Sequence, residues 1–312
     1  MRAAPPRRKR LGDGETSPTA ANPAPAAPPT PCVAELLTAA RCAGVDRLDA
    51  QLLLGRVLAR PRSWLIAHGE HALTTAQADT MARLLVLRSQ GMPLAYLLGE
   101  REFHGLTLKV TPDVLVPRPD TEVLVDWALE LLHDRSRGPV SGTSSGAAEV
   151  ADLGTGSGAI ALALKHRSPQ TRLTAVDLSA AALDVARDNG LRLGLVVEWI
   201  QGDWFGPLAG RRFDLIVSNP PYIAAADPHL AALHAEPQAA LTPGADGLGA
   251  LRLLCQDAPR HLRPGTWLLL EHGFDQGAAV RRLLQDAGLS RVTTRVDLAG
   301  HERCSAGHWP GD

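Results

Sequence analysis

The chain has 312 residues, a net charge of −1 and 45% hydrophobic residues. This is enough for one or two globular domains, and it excludes the overall basic field typical of many nucleic-acid-binding proteins. No apolar run approaches the ~20 residues of a membrane span. The four cysteines are scattered without metal-ligand spacing, so we expect no metal site, no disulfide framework and a cytoplasmic location.

The N-terminal third divides into an extension rich in proline and alanine and a helical module. Residues 1–31 are rich in proline and alanine, which predicts a disordered extension. From Val33 the apolar residues recur with helical spacing, and longer helices are predicted over residues 49–58 and 75–88, the second capped by Thr74. Residues 32–100 are therefore predicted to form a small helical domain.

Residues 101–118 change to the period of two that is typical of strands. Phe103, Leu106 and Leu108 are the apolar positions, and Gly105 suits a turn, so we predict a β-hairpin that links two domains. A helix is predicted to follow over residues 122–133, with Asp120 or Thr121 as its N-cap.

From residue 119 to residue 312 strands alternate with helices, which predicts an α/β domain. Such alternation indicates a parallel, doubly wound sheet that is covered by helices on both faces. The predicted strands are residues 150–153, 173–176, 196–200, 215–217 and 267–270, with a closing pair within 291–309.

A glycine-rich turn follows the first strand of this domain, in the stretch DLGTGSGAI. Glycine allows the backbone to approach a ligand closely and to adopt conformations that other residues avoid. Asp177 ends the next strand, where a carboxylate can accept hydrogen bonds from ribose hydroxyls. The pattern also fits a dinucleotide-binding dehydrogenase, so these residues alone do not identify the cofactor. The candidate cofactor-binding residues of the turn are Gly154, Thr155, Gly156, Ser157 and Gly158.

Two further candidates follow the third strand. Asp203 supplies a carboxylate and Trp204 an indole at the carboxyl end of a strand, where ligands of open α/β sheets bind. The pair suits an adenine, because the carboxylate can bind an amine and the indole can pack against the ring.

The fourth strand ends in Asn219-Pro220-Pro221-Tyr222. Neither proline can donate a backbone hydrogen bond, so this segment presents acceptors. The Asn219 side-chain carbonyl and the Pro220 backbone carbonyl would orient a planar nitrogen, and Tyr222 would stack on it. We therefore predict Asn219, Pro220 and Tyr222 as catalytic, with Pro221 completing the substrate site and Asn219 also touching the cofactor.

Together these motifs resemble the S-adenosylmethionine-dependent methyltransferases. PRPDTE at residues 117–122, LLLEHG at 268–273 and GHER at 300–303 are similar to one branch, the HemK/PrmC release-factor glutamine methyltransferases. The resemblance covers about residues 33–305. It implies a Rossmann-like, seven-stranded methyltransferase sheet, with a small N-terminal helical domain joined to it by a β-hairpin.

The resemblance also implies a reaction and a partner. S-adenosylmethionine would donate a methyl group to the glutamine amide in the GGQ motif of class 1 peptide chain release factors. Residues 154–158 would surround the methionine part of the cofactor, Asp177 would hold its ribose and Trp204 would pack near its adenine. The helical domain would help to dock the release factor, without a metal, a membrane or direct contact with nucleic acid.

Three alternatives remain open from the sequence. A glutamine methyltransferase acting on a ribosomal protein shares the NPPY motif, although PRPDTE favours the release-factor branch. An exocyclic-amine methyltransferase acting on nucleic acid would require a basic channel, and an inactive binding module would not need the intact motifs. The segment after Arg303, CSAGHWPGD, differs from the aromatic-ended strand expected in the family, which puts the packing of the last strand in question.

Overall fold

The computed structural model of the chain describes residues 1–4, 30–137 and 146–311. The disorder predicted for residues 1–31 falls mostly on residues 5–29, which lie outside the described residues. None of the helices within the described ranges is long and apolar enough to cross a membrane.

Five helices form the N-terminal module, and two of them begin at side-chain caps. The Asp46 carboxylate accepts hydrogen bonds from two backbone amides at the start of the second helix, and Thr74 caps the fourth, as predicted. The apolar faces meet in a separate core that includes Leu53, Leu54 and Met81. The helices are α1 (Val33–Cys42), α2 (Arg47–Leu58), α3 (Arg62–Ala67), α4 (Thr75–Ser89) and α5 (Leu94–Leu98).

The predicted hairpin follows as β1 (Glu100–Phe103) and β2 (Leu106–Lys109), paired antiparallel. Asn189 ties this hairpin to the glycine-rich turn. Its side-chain oxygen accepts from the Lys109 amide at 2.7 Å, and its Nδ2 donates to the Ser157 carbonyl at 3.0 Å. The hairpin therefore packs directly behind the turn that was predicted to bind the cofactor.

The remaining described residues form a seven-stranded sheet with helices on both faces. Its order is β5-β4-β3-β6-β7-β9-β8; β9 runs opposite to the other six strands, which share one direction. Its strands are β3 (Glu149–Leu153), β4 (Arg172–Asp177), β5 (Glu198–Gln201), β6 (Phe213–Ser218), β7 (Leu262–Glu271), β8 (Ser290–Val296) and β9 (Glu302–Trp309). Its helices are α6 (Glu122–Arg137), α7 (Ala159–Arg167), α8 (Ala180–Leu193), α9 (Gly249–His261) and α10 (Gly277–Asp286).

The last strand packs fully, although its sequence differs from the expected aromatic ending. β9 pairs with both β7 and β8, and Cys304, Ser305 and Ala306 are buried. Small side chains fit here because the strand lies between two neighbours and beneath helices. Leu289 lies so close to Gly307 that a Cβ there would approach it to 2.8 Å.

Two local predictions differ from the structure. The strand predicted over residues 196–200 is β5 (Glu198–Gln201), and Val196 is exposed because the chain is still leaving the cap of α8 at Gly194. Asp120 and Thr121, the predicted N-cap residues of α6, instead belong to a 3-10 turn, Pro119–Thr121, that leads directly into the helix. The Thr121 hydroxyl accepts a hydrogen bond from the distant Asn219 side chain.

Candidate active site

The two predicted motifs leave adjacent strands at the same level of the sheet. Leu153, the last residue of β3, is the register partner of Ser218, the last residue of β6, and the Ser218 hydroxyl donates to the Leu153 carbonyl at 2.6 Å. After β3 the chain forms β4 and β5 on one side of β3, whereas β6 pairs with β3 on its other side. Parallel α/β sheets bind ligands at such a reversal, because the loops there diverge and leave a crevice.

The glycine-rich turn is held against β4 by its own backbone. The amides of Gly154 and Thr155 both donate to the Val176 carbonyl, at 2.8 and 3.0 Å. Gly154 has a φ of +74°, and a Cβ there would lie 3.3 Å from the Trp204 ring. Position 154 therefore requires glycine for its backbone conformation and for the close approach of the indole.

Asp177 connects this turn to the start of α8. One carboxylate oxygen accepts from the Gly156 amide at 2.8 Å, and the other accepts from the Ser179 amide at 2.9 Å. Each carboxylate oxygen can accept a further hydrogen bond. The half-buried Asp177 thus fixes the turn and still offers acceptors to a ligand in the adjoining cavity.

A cavity of about 320 Å³ opens between the glycine-rich turn and the end of β6. Trp204 beside it has a φ of +44°, a strained conformation for a bulky residue that is typical of functional sites. The sequence-predicted residues that line this cavity are Gly154, Gly156, Asp177, Asp203, Trp204, Asn219 and Pro221.

Five predicted site residues do not line the cavity. Thr155 and Ser157 are buried, and Gly158 packs against Trp199, Leu162 and Ala186. Pro220 is buried as well. Tyr222 is largely enclosed, with its hydroxyl 3.4 Å from Glu271 Oε1 and its backbone carbonyl accepting from Gln276. In this structure these residues contact their own fold, and their predicted ligand contacts stay predictions.

Among the described residues, the hydrogen-bond partner of the Asn219 side chain lies on its nitrogen side. Its Nδ2 donates to the Thr121 hydroxyl at 3.1 Å, and the residue lines the cavity. With its nitrogen held in this way, the amide of Asn219 presents its oxygen as the acceptor that remains for a ligand.

Two buried carboxyl groups near the site were not predicted from sequence. Asp152 bonds to the Thr155 hydroxyl at 2.6 Å and to the Ala161 amide at 3.1 Å, and burial raises its pKa to about 7. Burial also raises the pKa of Glu271 to about 7, against the lowering effect of Thr121 and Arg303. An acidic residue inside each apolar strand, in ADLG and in LLLEHG, was the signal that could have identified them.

The cavity is covered on one side by two segments that the sequence did not connect. Residues 113–115 follow the hairpin, and residues 237–240 belong to the loop after Tyr222; both contribute to the cavity wall. Glu236 joins them, because its carboxylate pairs with Arg118 and accepts from the Val116 amide at 3.1 Å. Leu178, an exposed apolar residue at the cavity, was also missed.

Within the described ranges, no group of three or more histidine, cysteine, aspartate or glutamate side chains is arranged to hold a metal ion. The polar side chains that line the cavity are three carboxylates, the Asn219 amide and the Ser179 hydroxyl. These side chains suit a ligand that carries hydroxyl groups, amines or a positive charge.

Comparison with known proteins identifies the family. Residues 33–99 match the PrmC N-terminal domain and residues 140–270 match the methyltransferase small domain. A Xylella fastidiosa protein named release factor glutamine methyltransferase is 49% identical over 278 residues, covering 88% of this chain and 98% of that protein. A Bordetella pertussis protein of the same name is 49% identical, covering 85% of this chain and 96% of that protein.

The fold has solved counterparts as well. The crystal structure of a methyltransferase from Pyrococcus furiosus superposes with a TM-score of 0.50 at 19% identity, covering 75% of this chain and all of that one. At this identity the likeness concerns the fold alone. Given the sequence matches along nearly its whole described length, the chain belongs to the release factor glutamine methyltransferase family.

Proposed function

We propose that this chain transfers a methyl group from S-adenosylmethionine to the side-chain amide nitrogen of the glutamine in the GGQ motif of class 1 peptide chain release factors, in the cytoplasm. The observation that carries the proposal is the Asn219 amide. Its nitrogen is held by Thr121, and its oxygen remains as an acceptor at the cavity shared with the glycine-rich turn. The name of the curated relatives supports the choice of substrate.

The residues present fit S-adenosylmethionine. The turn at Gly154 admits a ligand close to the backbone, and Asp177 offers carboxylate oxygens beside it. Trp204 supplies an aromatic surface, and the exposed Asp203 supplies a second negative charge at the same cavity. When bound, S-adenosylmethionine supplies a methyl group on a positively charged sulfur, and the sulfur leaves as part of a neutral thioether.

The residues after β6 would compensate for the low reactivity of the amide nitrogen that receives the methyl group. The lone pair of a glutamine amide is delocalised, so its nitrogen is a poor nucleophile. The Asn219 oxygen and the Pro220 carbonyl would accept from its two N–H groups, orient it and stabilise the positive charge that develops on nitrogen. The two prolines limit the backbone freedom of this segment, which favours a fixed placement of both acceptors.

The test is methylation of a purified release factor by the purified chain and a labelled methyl donor. We expect label on the wild-type factor and none on the factor whose loop glutamine is replaced by alanine. Equal labelling of both factors would show that the methyl group goes elsewhere.

Parallel reactions with ribosomal proteins and with RNA test the competing substrates. Planar amide and exocyclic amine nitrogens need the same kind of acceptors, so the chemistry of Asn219 does not by itself separate them. Preferential labelling of either alternative over the release factor would replace the proposed substrate while leaving the methyltransferase chemistry intact.

A further inference from the structure

Helix α5, the last helix of the N-terminal module, takes part in two apolar cores. Leu94, Leu97 and Leu98 pack against the core of the module itself. Ala95 and Tyr96 instead pack into a second core, which joins the segment after the hairpin to α8. The other members of this second core are Val110, Val114, Val116, Ala182 and Val185. Helix α5 therefore contacts both the module and the α/β domain.

Tyr96 adds a hydrogen bond to this apolar contact. Its hydroxyl donates to the backbone carbonyl of Val114 at 2.5 Å. The direction of this bond is fixed, because a backbone carbonyl can only accept. Burial raises the pKa of Tyr96 above its usual value, and the nearby Glu236 carboxylate acts in the same direction, so the hydroxyl keeps its proton at neutral pH.

The Val114 carbonyl belongs to a turn that forms part of the cavity wall. The Val114 amide donates to the Thr111 carbonyl at 3.1 Å, and the Thr111 hydroxyl donates to the Asp113 carboxylate at 2.9 Å. Residues 113–115 all line the cavity of about 320 Å³. Because these bonds make the turn compact, a bond that holds Val114 also limits the movement of the Asp113 carboxylate beside it.

The wall is tied to the rest of the protein at two points. The Val116 amide donates to the Glu236 carboxylate at 3.1 Å, which ties the segment to the loop after Tyr222. The hydroxyl of Tyr96 ties the same segment to the helical module, two residues earlier in the chain. Loss of one tie should therefore loosen the wall without unfolding it.

We propose that Tyr96 is a positioning residue for the methyl donor, and that its hydroxyl holds residues 113–115 in place as a wall of the donor cavity. This inference rests on the proposed function, since it takes the cavity as the site of S-adenosylmethionine. A wall that is ordered before the ligand arrives loses less conformational entropy on binding, which favours affinity. The helical module thus contributes to donor binding as well as to the docking expected of it.

The experiment compares the wild type with Tyr96→Phe in calorimetric titrations with S-adenosylhomocysteine, the demethylated form of the donor. Phenylalanine keeps the ring in the second core and removes the hydroxyl, so the Val114 carbonyl loses its partner. Loss of one neutral hydrogen bond predicts a rise of about fivefold in the dissociation constant. Hydrogen exchange at the Val114 amide of the ligand-free protein should become faster. The kcat at saturating donor should change little.

Thr266→Val is the matched control, because it also removes a hydroxyl that donates to a backbone carbonyl. Thr266 is buried in β7, and its hydroxyl donates to the Arg263 carbonyl at 2.6 Å. It lies before Trp267, which pairs with Leu215, and so at the opposite end of β7 from the site. We expect a Tm at least as low as that of Tyr96→Phe, with the dissociation constant and the exchange at Val114 as in the wild type.

The outcomes separate this inference from the proposed function. If the wild type does not bind S-adenosylhomocysteine, the donor assignment and the role of Tyr96 are both wrong. If the wild type binds it and Tyr96→Phe binds it equally tightly, or exchanges no faster at Val114, the positioning role alone is wrong. Weaker binding that Thr266→Val reproduces would reflect a general loss of stability and would likewise overturn the role. Donor binding without methylation of the release factor would overturn the proposed substrate and leave the role of Tyr96 in place.

Discussion

At the scale of single residues, two asparagines differ in role: one presents an acceptor at the cavity and the other joins parts of the fold. Asn219 has its nitrogen bonded to Thr121 and its remaining acceptor at the cavity. Asn189 is buried and satisfied on both sides, by the Lys109 backbone and the Ser157 carbonyl. Sequence identified Asn219 because it follows a strand and precedes two prolines. Nothing in the local sequence of Asn189 indicates its structural role.

Asn219→Ala should lower kcat by about a hundredfold or more, because a preorganised polar group facing the reacting atoms contributes on that scale. The Tm should change little, and donor affinity measured by calorimetry should be largely retained. Asn189→Ala is the contrasting variant: it removes three hydrogen bonds that join the hairpin to α8 and the glycine-rich turn, so it should lower the Tm first. Unchanged turnover in Asn219→Ala would rule out the acceptor role.

Asp152 makes the stability depend on pH. Burial raises its pKa from 3.8 to about 7, so the folded chain binds a proton that the unfolded chain has released. The resulting stabilisation is complete below about pH 4 and is lost as the pH rises toward 7. We expect Asp152→Asn to flatten this part of a Tm-against-pH curve, with Glu271 contributing a remaining slope of the same sign between about 4.5 and 7. An identical slope in wild type and variant would contradict this.

At the scale of elements, the glycines of the glycine-rich turn meet two different requirements, close approach to the cavity and tight packing of a helix, although the sequence shows them as one motif. Gly154 lies under the Trp204 ring at the cavity, whereas Gly158 lies at the start of α7 against side chains of α7 itself, α8 and β5. The motif predicted a close approach to a ligand for all three glycines. The structure shows that the last of them serves the packing of α7 against α8 and β5.

Gly158→Ala should destabilise the protein by about 2–3 kcal/mol, the sum of a left-handed backbone and overpacking. Its φ is +82°, and a Cβ would lie 3.0 Å from Trp199 and 3.1 Å from Leu162. Gly194→Ala is the control, since its φ of +66° is similar but a Cβ there meets no atom within 4 Å. Denaturant unfolding should give a loss of only about 1 kcal/mol for the control. Equal losses would show that the side-chain contacts at Gly158 cost nothing.

At the scale of the whole molecule, the cavity is completed by segments that lie far apart in the chain. Glu236 is buried beside Arg118 and the Val116 amide, 120 residues away, and it joins the segment after the hairpin to the loop after Tyr222. A pair formed over this distance requires the segment after the hairpin and the loop after Tyr222 to be packed together. The cavity therefore depends on these two segments as well as on the sheet.

Glu236→Gln keeps an acceptor for the Val116 amide but removes the charge that pairs with Arg118. We expect the dissociation constant of the methyl donor to rise about tenfold, because the ion pair that connects the two segments of the cavity wall is lost. Calorimetric titration with a donor analogue measures this, and kcat at saturating donor should be much less affected. Glu198→Gln removes the partner of Arg211 at the other edge of the sheet, and its donor affinity should match the wild type. Loss of affinity in both variants would point to a general effect of charge.

The sequence by itself determined the α/β class, most elements, the glycine-rich turn and the NPPY motif. These are local properties: hydrophobic period, glycine, proline and capping residues act on neighbours a few positions away. Only the tertiary structure decided that β3 and β6 are neighbours, and that Thr121 meets Asn219. Strand order and buried hydrogen bonds depend on which distant segments pack together. The hydrophobic effect is non-directional, so an apolar segment does not show in its local sequence which other segment it will pack against.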